Sequence, residues 1–135
     1  MLISAKLYSS IEISILIHAT ESENKILKSI FEFVEHSKDT VQIKHNKTEG
    51  HWKNPIIRLI ISTNFEVDKI FNKLHKQLIE NYGEDDTNKY IKTNTDRKGY
   101  LFTRLDKQKL CNGIIMLSDK DSVRMVFKKL GKFES

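Results

Sequence analysis

Isoleucine falls on every odd position from Ile11 to Ile17, with Glu12, Ser14 and Leu16 between them. This period of two predicts a strand with one buried face. Past Thr20-Glu21-Ser22-Glu23, whose spacing fits a capping box, the period lengthens, and Ile26, Leu27, Ile30, Phe31, Phe33 and Val34 form a stripe at helical spacing. Val41 and Ile43 then alternate with Gln42 and Lys44 in a second strand. The nearly continuous apolar run 56–61 predicts a third, central strand, in which Arg58 alternates away from Ile57, Leu59 and Ile61 toward the other face of the sheet.

Thr63-Asn64-Phe65-Glu66 repeats the capping spacing ahead of Val67, Ile70, Phe71, Leu74 and Leu78, the inward positions of a second helix that Gly83 ends. The acidic run Glu84-Asp85-Asp86 and the polar residues through Asn94 read as a solvated linker, with one helical turn around 89–92. Leu101, Thr103 and Leu105 share one face of a strand over 100–105, and Phe102 and Arg104 the other. Residues 106–111 read as a polar connection. Two further strands, 113–117 and 123–127, are joined by the turn-forming Ser118-Asp119-Lys120-Asp121-Ser122.

The predicted order is strand, helix, two strands, helix, three strands. The links between 41–47 and 56–61, and between 113–117 and 123–127, are too short for crossover helices, so the sheet should be mostly antiparallel. Two amphipathic helices need an apolar partner, and the simplest α+β answer is a two-layer sandwich with both on one sheet face. The other face would then carry Arg58, Phe102, Arg104, Arg124 and Lys128. With no internal repeat and no linker rich in glycine or proline, residues 1–135 read as one domain, long enough to bury a core unaided.

Charge adds a direction to this picture. The formal net charge is +5, and it is uneven: residues 1–85 hold 11 Lys and Arg against 12 Asp and Glu, whereas residues 86–135 hold 12 against 6. Clustered cations gain affinity for a phosphate-rich partner by releasing counterions from it. Basic side chains interleaved with an aromatic ring on one sheet face suit RNA, since the ring can stack on an unpaired base. The bland reading places Phe102 in a second buried patch.

The only cysteine, Cys111, cannot form an internal disulfide, which suits a reducing cytoplasm. The first eighteen residues are too interrupted by polar side chains for a signal or a membrane span. His45, His51 and Cys111 lack any metal-site spacing, and Asp119 and Asp121 lack the other ligands of a cation loop. No metal or cofactor is expected, and no phosphate-cradling glycine loop or hydrolase motif is found.

The only Trp and the only Pro stand together in Glu49-Gly50-His51-Trp52-Lys53-Asn54-Pro55, where a loop hands over to the apolar run. Trp52 could stack on a base with Lys53 on phosphate, His51 could carry a proton with Asp106 as partner, or the loop could be an anchor.

His18-Ala19-Thr20-Glu21-Ser22-Glu23, the 49–56 segment, and Leu101-Phe102-Thr103-Arg104-Leu105-Asp106-Lys107-Gln108, with the closing strand through Asp121 and Val123, resemble the archaeal RNA-binding protein family described as a predicted exosome subunit. The resemblance covers nearly the whole chain. It implies an α+β fold similar to the ribosomal protein that holds 5S RNA, and a non-enzymatic, cytoplasmic RNA-binding protein associated with exosome or ribosome-related partners. Carried over by position, it marks Gly50, His51, Trp52, Asn54, Pro55, Arg104, Asp106, Lys107 and Gln108. The chain departs from the family at Thr103, where a larger apolar residue is usual, and at Lys109-Leu110-Cys111.

The expected RNA-binding set is therefore His51, Trp52, Lys53, Asn54, Arg58, Phe102, Arg104, Lys107, Gln108, Arg124 and Lys128. The alternative is a scaffold subunit that docks on a larger complex without touching RNA.

Overall fold

The computed structural model describes residues 7–36, 38–49 and 55–129. Five strands, β1 (Ser10–His18), β2 (Gln42–Glu49), β3 (Pro55–Thr63), β4 (Leu101–Asp106) and β5 (Ser122–Lys128), form one sheet in the order β2-β3-β1-β5-β4. Every pairing is antiparallel. Between them lie four helices: α1 (Glu23–Val34), α2 (Val67–Tyr82), α3 (Glu84–Thr93) and the short α4 (Lys107–Cys111). The α+β sandwich expected from the periodicities is present, and the element order is β-α-β-β-α-α-β-α-β.

The central strand is the one with the cleanest alternation. Ile11, Ile13, Ile15 and Ile17 are all buried, and their register partners Ile61, Leu59, Met125 and Phe127 share that face. Ile26, Ile30, Phe33 and Val34 of α1 and Ile70, Phe71, Leu74 and Leu78 of α2 complete the same core. Both long helices therefore cover one face of the sheet. Each fully buried aliphatic or aromatic side chain contributes about 1.5–3 kcal/mol of transfer free energy, so this alternation fixes which face is in.

Several local expectations need correction. The cap of α1 is Ser22, not Thr20: its hydroxyl accepts the Lys25 N–H at 3.2 Å, while Glu21 turns back to the His18 N–H at 2.8 Å. Ser22→Ala should destabilise the protein by about 1 kcal/mol, seen as a lower urea midpoint at unchanged slope. At α2 the N-cap is Glu66 in a left-handed conformation without a side-chain cap bond. Thr63 instead accepts the Phe65 N–H and donates to the Thr40 carbonyl. Glu84, Asp85 and Asp86 open a helix of ten residues and are no linker; acidic side chains in a first turn meet the positive end of the helix dipole.

A further correction concerns 113–117, which forms no strand. It makes a single bridge, Leu117 to Leu105, with the outer edge of β4. Side chains take several of its backbone groups: Asn81 donates to the Ile115 carbonyl at 2.6 Å, and the Tyr82 hydroxyl accepts the Leu117 N–H. β5 pairs with β1 and β4 instead. The connection 106–111 is also more ordered than expected, since Asp106 caps α4 by accepting the Lys109 N–H at 2.9 Å.

Candidate nucleic-acid interface

Because β-strand side chains alternate, the register that buries the odd positions of β1 sends another set to the opposite face. One row crosses all five strands: Lys44, Ile60, Ser14, Arg124 and Arg104. A second runs Gln42, Ser62, Glu12, Val126 and Phe102. On this same face Asn46, Arg58 and Leu16 lie side by side, and Lys128 stands opposite Ser10. Both long helices pack on the opposite face, only the C-terminal end of α3 reaches this one, at its β4 margin, and Leu16 is 47% exposed on it. The face thus carries three separated apolar side chains, the exposed Leu16 and the half-buried Ile60 and Phe102, among five cations.

The energetics of the cations differ. Lys128 Nζ is held by Glu12 at 3.1 Å. Arg104 and Arg124 stand directly opposite each other across β4 and β5. Like charges at such a position are destabilising, and neither guanidinium has an ion-pair partner among the described residues. Arg124 instead lies over the Phe102 ring, 5.7 Å from its centroid. Facing like charges of this kind, with the Asp119 carboxylate lining one depression with them but not paired to them, lower the stability of the free protein.

The outer edge of β4 is closed by the chain itself. Phe102 N–H donates to the Asn94 carbonyl and Asp106 N–H to the Met116 carbonyl, while the Arg104 carbonyl accepts from Ser118. The end of α3 and the 118–121 turn thereby stand over the strand. Tyr90, Asn94, Phe102, Arg104, Asp119 and Arg124 enclose a depression of ≈ 300 Å³ there. Burial raises the pKa of the Tyr90 hydroxyl, the Arg104 backbone and guanidinium oppose that shift, and the Asp119 carboxylate adds to it. Tyr90 and Asp119 were not among the expected residues. An aromatic near the end of a polar segment was the available signal, and reading 84–94 as a linker hid it.

Arg58, Phe102, Arg104, Arg124 and Lys128, expected on one face, are brought together there by the register. Lys107 is not with them. It is 1% exposed, and its ammonium donates to the Leu16 carbonyl at 2.8 Å, Glu21 at 2.8 Å and Asp121 at 2.9 Å. All three of its protons are engaged inside the protein, so it is a structural cross-link. Gln108 is an exposed residue of α4, off the strand rows. His51, Trp52, Lys53 and Asn54 lie outside the described residues. His18, at the end of β1, stands 3.9 Å from Asp121. Among the described residues no three His, Cys, Asp or Glu side chains converge on a metal position, and no helix is long and apolar enough to cross a membrane.

An α+β sandwich with one helix-covered and one open, cationic sheet face defines the class. The chain belongs to the RNA-binding family, whose model matches residues 10–129. An uncharacterised protein of Methanocaldococcus jannaschii is 35% identical over 128 residues, covering 88% of this chain and 83% of its own. An RNA-binding protein of Pyrococcus abyssi is 28% identical over 130 residues, covering 92% and 82%. Among solved structures, a DUF54 protein of Methanothermobacter thermautotrophicus superposes with a TM-score of 0.72 at 22% identity, covering 90% of this chain and 84% of that one. A DUF54 protein of Sulfolobus solfataricus gives 0.69 at 24%, covering 88% and 86%. These structural likenesses concern the fold.

Proposed function

We propose that the chain is a non-enzymatic RNA-binding protein whose open sheet face is the binding surface. The observation that carries this reading is the register, which sets Lys44, Arg58, Arg104, Arg124 and Lys128 on one face with the exposed Leu16 and the half-buried Phe102. The cations meet phosphates, and the aromatic and guanidinium planes provide stacking surfaces for unpaired bases. The family match and the RNA-binding relative support the choice of RNA as the ligand. His51, Trp52, Lys53 and Asn54 extend the surface in this reading. The same reading makes the chain a single-domain, cytoplasmic, archaeal accessory in RNA processing, with exosome or ribosome-related partners.

The test is the affinity for single-stranded RNA, read by fluorescence anisotropy at several salt concentrations. The logarithm of affinity should fall linearly with that of salt, at about 0.7 per phosphate contacted. Negligible affinity, or affinity indifferent to salt, would overturn the proposal.

A further inference from the structure

We propose that the depression at the β4 edge is a subsite for a guanine base of single-stranded RNA. The inference rests on the open face being an RNA surface and adds base selectivity to it. Its floor is Phe102 with the Arg124 guanidinium 5.7 Å from the ring centroid, and its volume of ≈ 300 Å³ accepts a purine laid against those planes.

The wall decides which purine. Asp119 is an exposed carboxylate at the pocket rim and forms no ion pair among the described residues, although Arg104 and Arg124 line the same depression. A carboxylate is an acceptor only, so it repels phosphate and needs donors from the ligand. Guanine alone among the four bases presents two adjacent Watson–Crick donors, N1–H and the N2 amine, which match the two carboxylate oxygens as a fork. Adenine and cytosine offer one amine beside an acceptor, and uracil one N–H between two carbonyls.

The remaining groups are consistent with that orientation. Arg104 stands on the strand floor as a donor for O6 or for the neighbouring phosphate. Asn94 donates its amide nitrogen to the Tyr90 carbonyl at 2.8 Å, which fixes the side chain at the rim. No step in this recognition requires a conformational change, because α3, β4 and the 118–121 turn are already joined by backbone hydrogen bonds.

The experiment compares a short uridine-only RNA with the same RNA carrying one central guanosine, inosine or adenosine, against the full chain and its Asp119→Asn variant. A bidentate contact predicts about tenfold tighter binding of the guanosine oligonucleotide over the adenosine one, with inosine, which lacks the N2 amine, in between. In Asp119→Asn the preference should collapse, while affinity for the uridine RNA rises because a repelling charge is gone. That opposite movement distinguishes a reading residue from a merely structural one. Equal, salt-dependent binding of all four oligonucleotides would overturn the guanine subsite and leave the RNA surface standing. A guanosine preference retained in Asp119→Asn would also overturn it. No salt-dependent binding of any of the four would overturn both.

Discussion

Replacing Lys107 with methionine is expected to destabilise the protein by about 2–3 kcal/mol, toward the low end for a broken buried ion pair because one of the two carboxylates is half exposed. The ammonium joins four parts of the fold: α4, which carries it, the end of β1, the approach to α1, and the turn before β5. Its bond to the Leu16 carbonyl falls where β1 has run past the last residue it pairs with on β5, Ser14 opposite Arg124. Without the lysine, that carbonyl loses its donor, and Glu21 and Asp121 face each other uncompensated. Thermal unfolding should drop by roughly 10 °C, and a urea titration should show a lower midpoint with an unchanged slope. A loss within error of zero would mean that water replaces the ammonium.

The same cluster gives the effect a pH signature. Burial pushes the Glu21 carboxyl up, but hydrogen bonds from the His18 N–H and the Lys107 ammonium outweigh it, so the folded-state pKa lies below the ordinary glutamate value. The unfolded chain therefore binds this proton more readily than the folded one. The stability it contributes is present above the ordinary glutamate pKa and is lost as pH falls through the lowered folded value. Lys107→Met should flatten this part of the acid limb, because the charge that depresses Glu21 is gone.

How much of this could be read along the chain depends on whether a residue's role is set by its neighbours in sequence. The alternation of Ile11 to Ile17 and of 101–105 determined both faces of the sheet, and Arg58 and Arg104 fell on the open face for that reason alone. Lys107 had no such local signature. Three acceptors from sequence separations of 14, 86 and 91 residues define its role, and only the folded topology supplies them. The segment 113–117 misled for a related reason: its Ile-Ile-Met-Leu run satisfies a strand pattern, yet Asn81 and Tyr82 of α2 take backbone groups that a ladder would need. Tyr90 and Asp119 were missed together, since the pocket they line exists only once α3 is a helix and the turn before β5 lies over β4.

Neutralising Arg58 and Arg104 together as glutamines should weaken single-stranded RNA binding on the order of tenfold at low salt and reduce the salt slope by roughly 1.4, two contacts at about 0.7 each. Both side chains are exposed and make no ion pair among the described residues, so the fold does not depend on them. Stability should move the other way. Arg104 stands directly opposite Arg124, and removing one of two facing like charges is expected to raise stability by a few tenths of a kcal/mol. Glutamines in place of Lys28 and Lys76, exposed cations on the helix side, change net charge equally and should leave the slope nearly intact, because screening confines the effect to charges near the bound strand. Equal losses in the two double variants would mean that affinity follows net charge, and the open face would lose its special status. A selective loss with gained stability would show that the sheet tolerates its facing arginines for the sake of the anion they hold.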